Sequence, residues 1–419
     1  MENMETTKAS AGKRILMLLE NSCYPGDTRV LREALSLVDF GYQVTVIAPC
    51  GKQEAWYELN DRVHVYRYPR PKEGESGLGY IWEYGVSIFW TFWLSLWVLL
   101  RRGFDVIHSH SPPDLYALIA ICYWPLGKKF VFDHHDISPE MYIARFQGQG
   151  NPWIVRALTF FEGLSCRYAT HIITVNESYR ALVLQRHKIP ESKITVVRNG
   201  PSFDRLYLVE PDAEIAARGQ TVLGYVGVMG FQDGIDSLIR ALHKLKFELG
   251  RSDFYCILIG KGSSLDALKR LTKELQLEEN VLFTGFVSHE DLLTYLSTTD
   301  ICIAPDPYNP FNDRSTMIKV MEYMTLSKPI VAYRLIEHQV TAQGAALYAD
   351  VSDELDFARK IEELMNDPER RREMGAIGRK RVEDVLAWPH QEGHLRSVYE
   401  TVFGLHVAEL AQSFGSKRP

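Results

Sequence analysis

The chain has 419 residues, of which 46% are hydrophobic and 24% are charged, and its formal net charge is −6 at neutral pH. This balance excludes a disordered or fibrous chain, and the length suits two domains of roughly 150–200 residues each. So small a negative charge gives no reason to expect a nucleic-acid partner.

Apolar, β-branched runs alternate with helix-period segments along the first half of the chain. These runs predict strands at RILMLLE, YQVTVIAP, VHVYRYP, DVIHSHS, KFVFDHH, HIITVN and ITVVRNG. Continuous apolar strands separated by helices predict a parallel sheet covered on both faces, because each crossover lays a helix across the sheet.

One uncharged stretch in this half, YGVSIFWTFWLSLWVLL at 84–100, is followed by two arginines at 101–102. Its length is at the lower limit for a spanning helix, and its Gly, Ser and Thr favour a buried or half-buried helix. Trp90, Trp93 and Trp97 lie on one face of that helix, a pattern typical of a helix in a membrane interface. A packed core explains the same stripe equally well, so both interpretations stay open.

Histidine and aspartate side chains cluster where two neighbouring strands of this half end. They are His108, His110, Asp133, His134, His135 and Asp136. Ligands of parallel sheets bind at the carboxyl ends of the strands. The cluster therefore predicts a site that orients an acceptor hydroxyl, hydrogen-bonds a sugar or transfers a proton, with a purely structural role as the alternative.

The stretch after the first strand, YPGDTRVLREA at 24–34, adds two candidates. Asp27 suits a helix cap and Arg29 suits an anion contact. With His110 and Asp136, these residues form the predicted acceptor or sugar side of the site.

The second half repeats the alternation, with strands predicted at VLGYVGV, YCILIG, VLFTGF, ICIAPD, PIVAY and AALYA. The predicted fold class is therefore α/β, with two Rossmann-like domains whose parallel sheets face each other across a cleft. A polar stretch at 199–219 with Pro and Gly at both ends marks the break. We expect an acceptor-binding domain at 1–203, a donor domain at 204–388, and a helix at 389–419 that packs back on the first domain.

Glycines follow two of these later strands, Gly227 and Gly230 in YVGVMGFQDG and Gly260 and Gly262 in LIGKGSSLDALK. Glycine lets a backbone approach a ligand closely, and the next helix offers its N-terminus to a phosphate. Neither segment matches the G-x-G-x-x-G or Walker patterns, and ordinary strand-to-helix turns use glycine as well.

The segment NDRSTMIKVMEYMTLSKPIVAY at 312–333 predicts a helix that begins at Ser315–Thr316. Each residue of a helix is rotated by about 100° from the one before it, so Ser315, Lys319 and Glu322 fall on one face of this helix. The opposite face holds Met317, Ile318, Met321 and Met324. A cation, an acid and a helix N-terminus meet the needs of a nucleoside-diphosphate sugar. The alternative is a solvated face with an ion pair between Lys319 and Glu322.

The sequence predicts no metal site. Its cysteines are scattered, with no C-x-x-C pair and no signal peptide before Lys13, which indicates reduced core thiols in a cytosolic protein. They are Cys23, Cys50, Cys122, Cys166, Cys256 and Cys302. No zinc spacing occurs, and no two aspartates form a D-x-D pair, so Lys, Arg and helix dipoles would have to meet the charge of a diphosphate.

These segments together resemble the retaining family 4 glycosyltransferases of the GT-B fold, over nearly the whole chain. The resemblance is carried by KRILMLLENSCYPGDTRVLREALSLVDFGYQVTVIAP, YVGVMGFQDGIDSLIRAL, LFTGFVSHEDLLTYLSTTDICIAPD, MEYMTLSKPIVAY and RVEDVLAW. It implies that Glu322 binds the nucleotide ribose and Lys319 the diphosphate. It also implies that the backbone at 315–317 contacts the transferred sugar. The segment 285–287, which includes Phe286 and Val287, would contact the base. His135 would lie near the reacting sugar.

The chain departs from this family pattern at several positions. The first acid of the E-x7-E motif is replaced by Arg314, beside Asp313, and Val228 and Asp233 stand where cations are common. Arg314 and Lys319 would then carry more of the electrostatic work, with Arg314 serving a phosphate or an acidic sugar, or activity would be weak or lost.

The resemblance implies a metal-independent transferase that needs no cofactor. It would move a sugar from a nucleoside-diphosphate donor to a hydroxyl with retention of configuration. A lipid-linked or polysaccharide acceptor would lie near 84–102, and the protein would be cytoplasmic, peripheral on the inner face of the plasma membrane. The alternatives are a non-catalytic scaffold that binds a nucleotide sugar or glycan, favoured by the missing acid at 314, and a sugar-nucleotide epimerase or phosphorylase.

Overall fold

The computed structural model describes residues 12–51, 54–71, 77–217 and 221–405. The chain divides into two compact units. Unit 1 holds residues up to 143, 149–198 and those from 391 onward, and unit 2 holds 144–148 and 199–390. The predicted domain boundaries after 203 and after 388 lie within a few residues of these divisions.

Unit 1 is built on an eight-stranded sheet with the order β3-β4-β2-β1-β5-β6-β7-β8. Its strands are β1 (Arg14–Leu18), β2 (Gln43–Cys50), β3 (Tyr57–Asn60), β4 (Val63–Pro69), β5 (Val106–His110), β6 (Lys129–His134), β7 (His171–Thr174) and β8 (Ile194–Val196). Neighbouring strands are parallel except β3, which is antiparallel to β4. All the strands predicted in this half are confirmed, whereas β3 was missed because its half-exposed sequence YELN lacks an apolar run.

The helices of unit 1 cover both faces of this sheet. They are α1 (Thr28–Asp39), α2 (Gly77–Arg101), α3 (Ala117–Tyr123), α4 (Ser138–Arg145), α5 (Pro152–Tyr168) and α6 (Glu177–His187). From β4 through β5 and β6 to β7 the chain moves in one direction across the sheet, so right-handed crossovers put α2, α3 and α5 on the same face. Leu94 of α2, Ile119 of α3 and Cys166 of α5 accordingly belong to one core.

Among the described residues, α2 is the one helix long and apolar enough to cross a membrane by length and composition. One stripe of it packs into unit 1, where Leu94 and Val98 are buried. Its small polar residues also face inward, since Ser87 Oγ donates to Glu20 Oε1 at 3.1 Å. The helix is therefore half-buried, as predicted, and the tryptophan stripe lies outside the core: Trp93 is 52% exposed.

A final helix, α15 (Trp388–Phe403), joins unit 1 from Gln391 onward. The Tyr399 hydroxyl lies 2.8 Å from His108 Nδ1, and its ring centroid lies 5.4 Å from that of Tyr42. The described part of this helix therefore contacts unit 1 through Tyr399, while the rest of the predicted C-terminal helix, 406–419, lies outside the described residues.

Unit 2 is built on a parallel six-stranded sheet with the order β11-β10-β9-β12-β13-β14. Its strands are β9 (Thr221–Val226), β10 (Phe254–Ile259), β11 (Val281–Gly285), β12 (Ile301–Ala304), β13 (Ile330–Tyr333) and β14 (Ala346–Ala349). Its helices are α7 (Ala213–Ala216), α8 (Ile235–Phe247), α9 (Leu265–Glu274), α10 (His289–Thr298), α11 (Ile318–Thr325), α12 (Ile336–Ala342), α13 (Glu354–Asn366) and α14 (Pro368–Arg381). Every strand predicted here is confirmed.

All six cysteines are unpaired, in agreement with the reduced state predicted for them. The prediction that all of them are core thiols is wrong, because Cys122 is exposed on α3 and Cys23 and Cys50 are only partly covered.

Candidate functional site

The glycine turns after β9 and β10 lie against each other at the carboxyl edge of the unit 2 sheet. Gly227 and Gly260 have φ angles of 153° and 132°, and a Cβ added to Gly260 would lie 2.0 Å from the Gly227 carbonyl oxygen. A Cβ on Gly262 would lie 2.5 Å from the Met229 carbonyl oxygen. These glycines are thus required by the close approach of two turns, which is the structural alternative considered above.

Lys319 lies under this edge, in the first turn of α11. Its Nζ donates to Asp306 Oδ1 at 2.6 Å and lies 4.9 Å from the centre of the Tyr225 ring. Both members of the ion pair are buried. Burial alone would lower the pKa of Lys319, but the Asp306 carboxylate raises it well above its ordinary value, so the side chain is a permanent cation.

Asp306 faces a second basic side chain that sequence reasoning missed. His338 Nε2 lies 3.4 Å from Asp306 Oδ2, and His338 Nδ1 lies 2.9 Å from the Tyr333 carbonyl oxygen. Burial would raise the pKa of Asp306, but Lys319 and then His338 lower it below its ordinary value. The sequence did give a signal for Asp306, because this acid ends the predicted strand ICIAPD, and ligands of parallel sheets bind at such strand ends.

The predicted start of the 312–333 helix is wrong. Helix α11 begins at Ile318 with Met317 at its N-cap position, so Ser315 does not share a helix face with Lys319 and Glu322. Ser315 Oγ donates to the Phe311 carbonyl oxygen at 2.7 Å instead. Such a side-chain bond offers the backbone an alternative to the helix, which is why the polar cluster forms a loop.

The faces predicted for this helix are only partly correct. Met321 and Met324 are buried, but Ile318 is exposed on the side predicted to be apolar. Lys319 forms its ion pair with Asp306, thirteen residues before it, rather than the pair with Glu322 considered as the alternative. Glu322 itself is half-buried on α11.

The loop before α11 is tied to α12. Asp313 Oδ1 accepts from the Ile336 backbone N–H at 3.0 Å, and Thr316 Oγ1 donates to Glu337 Oε2 at 3.0 Å. Arg314, half-buried in the same loop, donates from Nη1 to the Pro310 carbonyl oxygen at 3.0 Å. Asp313, Arg314 and Thr316 are therefore held at fixed positions just before Lys319.

Other predicted donor-site residues line the outer part of this edge. Val228 and Phe286 are exposed, and Val287 is half-buried. The Nζ of Lys261 lies 5.3 Å from the centre of the Phe286 ring. Lys261 is an exposed cation that sequence reasoning missed, although it stands between the two glycines of LIGKG.

Asp233 occupies the place where a cation is common. Its Oδ2 accepts from the Gly230 backbone N–H at 2.9 Å. Burial raises its pKa to about 6, partly offset by Lys319. The carboxylate thus caps the turn at Gly230 and adds negative charge near Lys319.

The predicted role of Arg29 as an anion contact in unit 1 is wrong, because internal partners occupy its guanidinium. Nε and Nη2 donate to Asp133 Oδ2 and Oδ1, each at 2.7 Å, and Nη2 lies 3.0 Å from Glu33 Oε1. His110 is also fully buried, with its Nδ1 3.0 Å from Asp133 Oδ2. Both side chains are therefore buried and held by partners within unit 1.

His135 is the member of this network nearest to solvent, with 10% of its side chain exposed. Its Nδ1 lies 3.2 Å from Asp133 Oδ2. Burial would lower the pKa of His135, but the Asp133 carboxylate raises it above its ordinary value. This favours His135 as a hydrogen-bond donor or cation over His135 as a neutral base.

The backbone at the end of β6 is fixed by one side chain. Ser111 Oγ accepts from the N–H groups of His135 and Asp136 at 3.0 and 3.1 Å. Asp136 is half-buried. Asp27 caps α1 as predicted, since its carboxylate accepts from the N–H groups of Arg29 and Val30.

The fold also brings together four side chains of a metal-ligating kind. The ligand atoms of Glu33, His108, His110 and Asp133 all lie within 4.8 Å of one another. Sequence spacing gave no sign of this, because the residues come from α1, β5 and β6. Arg29 already supplies a cation to both carboxylates, so we read the group as a buried ion-pair network.

Comparison with known proteins gives consistent matches. The model of the family "Glycosyltransferase Family 4" matches residues 26–205, and that of "Glycosyl transferases group 1" matches residues 210–381. An alpha-D-kanosaminyltransferase of Streptomyces kanamyceticus is 30% identical over 342 residues, which cover 75% of this chain and 81% of that protein.

Two solved structures show the same fold. Sucrose-phosphate synthase of Thermosynechococcus elongatus superposes with a TM-score of 0.72 at 19% identity, covering 94% of this chain and 100% of that one. HepE of Anabaena, solved in complex with UDP and glucose, gives a TM-score of 0.69 at 14% identity, with 94% and 100% covered.

The position of Asp233 generates a pH-dependent prediction. Asn at position 233 can still accept from the Gly230 N–H but carries no charge. Because the folded pKa of about 6 lies above the unfolded value, the stability that protonated Asp233 contributes is lost as pH rises from about 4 to about 6. Asp233→Asn should therefore match the wild type at about pH 4 and be more stable by up to about 3 kcal/mol above pH 6.

Urea unfolding of both proteins across this pH range measures the difference. Asp236→Asn is the matched control, because Asp236 lies on the exposed part of α8 and pairs with Arg240. A stability difference for Asp233→Asn that does not change with pH would contradict the burial argument.

Proposed function

This chain belongs to the family 4 and group 1 glycosyltransferases of the GT-B fold, and from that membership we propose how its residues bind a donor and an acceptor. The donor is a nucleoside-diphosphate sugar bound to unit 2. The reaction transfers the sugar to an acceptor hydroxyl with retention of configuration. The observation that carries this proposal is the buried Lys319 beneath the glycine turns, at the start of α11.

The donor is proposed to lie along the carboxyl edge of the unit 2 sheet, where the turns after β9, β10 and β12 converge. Lys319 contacts the diphosphate there, and the first turn of α11 adds free N–H groups and the positive end of its dipole. Glu322 binds the ribose, and Phe286 and Val287 the base. HepE, which has the same fold, was solved with UDP and glucose, and this supports a nucleotide-sugar donor.

The net charge of the proposed donor site determines how strongly it can attract a diphosphate. Asp306 neutralises Lys319 while the site is unliganded, and Asp233 adds a further acid nearby. Additional positive charge therefore has to come from Lys261, Arg314 and the α11 dipole. Oriented donors of this kind stabilise a developing charge by ~3–4 kcal/mol each, so they are proposed to supply most of the catalysis.

The acceptor is proposed to bind unit 1 at the end of β6. His135 and Asp136 are the candidate contacts there, while Arg29, His110 and Asp133 hold His135 in place from below. The raised pKa of His135 makes it a hydrogen-bond donor to the acceptor rather than the main base.

We further propose that the acceptor is lipid-linked or a polysaccharide and that α2 meets the cytoplasmic face of the membrane. The exposed stripe of Trp90, Trp93 and Trp97 supports this, together with Arg101 at the end of the helix. A cavity of about 880 Å³ lies beside α2, lined in part by Trp90 and Arg70, and it offers room for the polar part of an acceptor.

The role of Lys319 is tested with a paired substitution. Lys319→Met alone would leave the buried Asp306 carboxylate without its main partner, which costs ~3–5 kcal/mol of stability. The double variant Lys319→Met/Asp306→Asn removes both charges and should fold. It should lose turnover by roughly 100-fold or more, because the diphosphate loses its central cation.

Nucleotide release from a panel of UDP-, GDP- and ADP-sugars measures this loss, with circular dichroism as the check on folding. Lys319→Arg is the control, since it keeps a cation beside the Asp306 carboxylate and should retain more turnover than the double variant. Near-normal turnover in the double variant would remove Lys319 from the mechanism. Tight donor binding by the wild type without any product would instead favour the scaffold alternative.

Metal independence is tested separately. In the part of the chain that the structure describes, the candidate metal-ligating group belongs to unit 1, and its two carboxylates are already paired with Arg29. Turnover is therefore expected to be unchanged by EDTA. Loss of activity with EDTA and recovery with Mn²⁺ would contradict the proposal.

A further inference from the structure

Exposed aromatic side chains continue beyond α2 onto two neighbouring helices of unit 1. On α3 and the turn after it, Leu118, Trp124 and Leu126 are exposed, and Trp124 is 68% exposed. On α5, Trp153 and Phe160 are 72% and 63% exposed. Single exposed apolar residues are common, but a set that spans three helices is not.

The three helices are direct neighbours on one face of the sheet. Ser95 Oγ of α2 lies 2.8 Å from the Tyr123 hydroxyl of α3. Ser165 Oγ of α5 donates to the carbonyl oxygen of Asp114, just before α3, at 2.7 Å. Their outward sides therefore form one continuous surface, which we call the aromatic face.

Arginines lie beside the exposed rings of the aromatic face, and the described acid of α2, Glu83, is half-buried near the start of that helix. Arg101 lies 4.6 Å from the centre of the Trp97 ring, and Arg156 lies 4.9 Å from that of Trp153. The segments 84–102 and 115–129 contain no acid. The one acid of α5, Glu162, is buried and paired with Arg186 and His134.

We propose that the outward sides of α2, α3 with its following turn, and α5 together form a docking surface for an anionic membrane leaflet. Tryptophan rings enter the headgroup layer, and the arginines beside them meet lipid phosphates. This extends the proposed membrane contact of α2 to three helices, and it rests on that proposal. Contact through three helices, unlike contact through α2 alone, fixes the orientation of unit 1 on the membrane surface.

Charge complementarity favours a membrane over a second copy of this chain. A two-fold dimer would place the same surface on both sides of the interface, so arginines would face arginines. An anionic leaflet presents the opposite charge to all of them. The aromatic face therefore complements lipid phosphates better than it complements the same face of a second copy.

The exposed thiol of Cys122 allows a direct test on α3. Cys166, Cys256 and Cys302 are buried, so Cys23→Ser/Cys50→Ser leaves Cys122 as the accessible thiol for an environment-sensitive fluorophore. Labelled protein should show a blue shift and brighter emission with vesicles of phosphatidylcholine and phosphatidylglycerol. Vesicles of phosphatidylcholine alone should give a much weaker change.

Substitutions on α5 test the width of the face. Trp153→Ser/Phe160→Ser should weaken co-sedimentation with the anionic vesicles roughly tenfold, because two rings that would enter the headgroup layer are lost. Phe247→Ser on α8 of unit 2 is the matched control, since that exposed ring also carries a basic neighbour, Lys246, 5.4 Å from its centre. The control should bind vesicles like the wild type.

Donor hydrolysis without vesicles should be unchanged in all of these variants, which separates this inference from the proposed catalytic function. If Trp93→Ser/Trp97→Ser on α2 abolishes vesicle binding while the α5 variant binds normally, the three-helix surface is wrong and α2 alone makes contact. If the α5 substitutions change only the oligomeric state, the face is a protein interface and the inference is overturned.

Discussion

The ion pair between Lys319 and Asp306 is the constraint on which the proposed donor site of unit 2 depends. A buried lysine remains charged only when a carboxylate compensates its lost hydration. Asp306, which follows β12, does so, with its Oδ1 2.6 Å from Lys319 Nζ. The pair holds the first turn of α11 beneath the two glycine turns. It also leaves the site nearly neutral, so the approach of a diphosphate has to be supported by cations further out.

Unit 1 uses the same arrangement at its own sheet edge. Arg29 binds both oxygens of Asp133, and Asp133 in turn holds His110 and His135. In each unit a buried cation and acid position the residues at the carboxyl ends of the strands. The residues predicted to touch ligands therefore divide into two kinds: those held by internal partners, such as Arg29, and those that we propose contact a ligand, such as His135.

Alternation of apolar runs and helices was enough to predict both parallel sheets, because burial on both faces leaves a continuous apolar signal. The tryptophan stripe of α2 was also visible, but its exposure was not, since the same spacing serves a core. Pairings between distant residues, such as Asp306 with His338 or Arg29 with Asp133, leave no periodic trace. The start of α11 was missed because Ser315 bonds to the nearby Phe311 carbonyl and Thr316 bonds to Glu337, a partner that only the fold brings near.

The most direct test of the central claim is a crystal structure of the chain with a nucleoside-diphosphate sugar or its nucleotide. The account predicts diphosphate oxygens within hydrogen-bond distance of Lys319 Nζ and of the first N–H groups of α11, with the ribose hydroxyls at Glu322. A nucleotide bound elsewhere on unit 2, with Lys319 still paired only to Asp306, would contradict it.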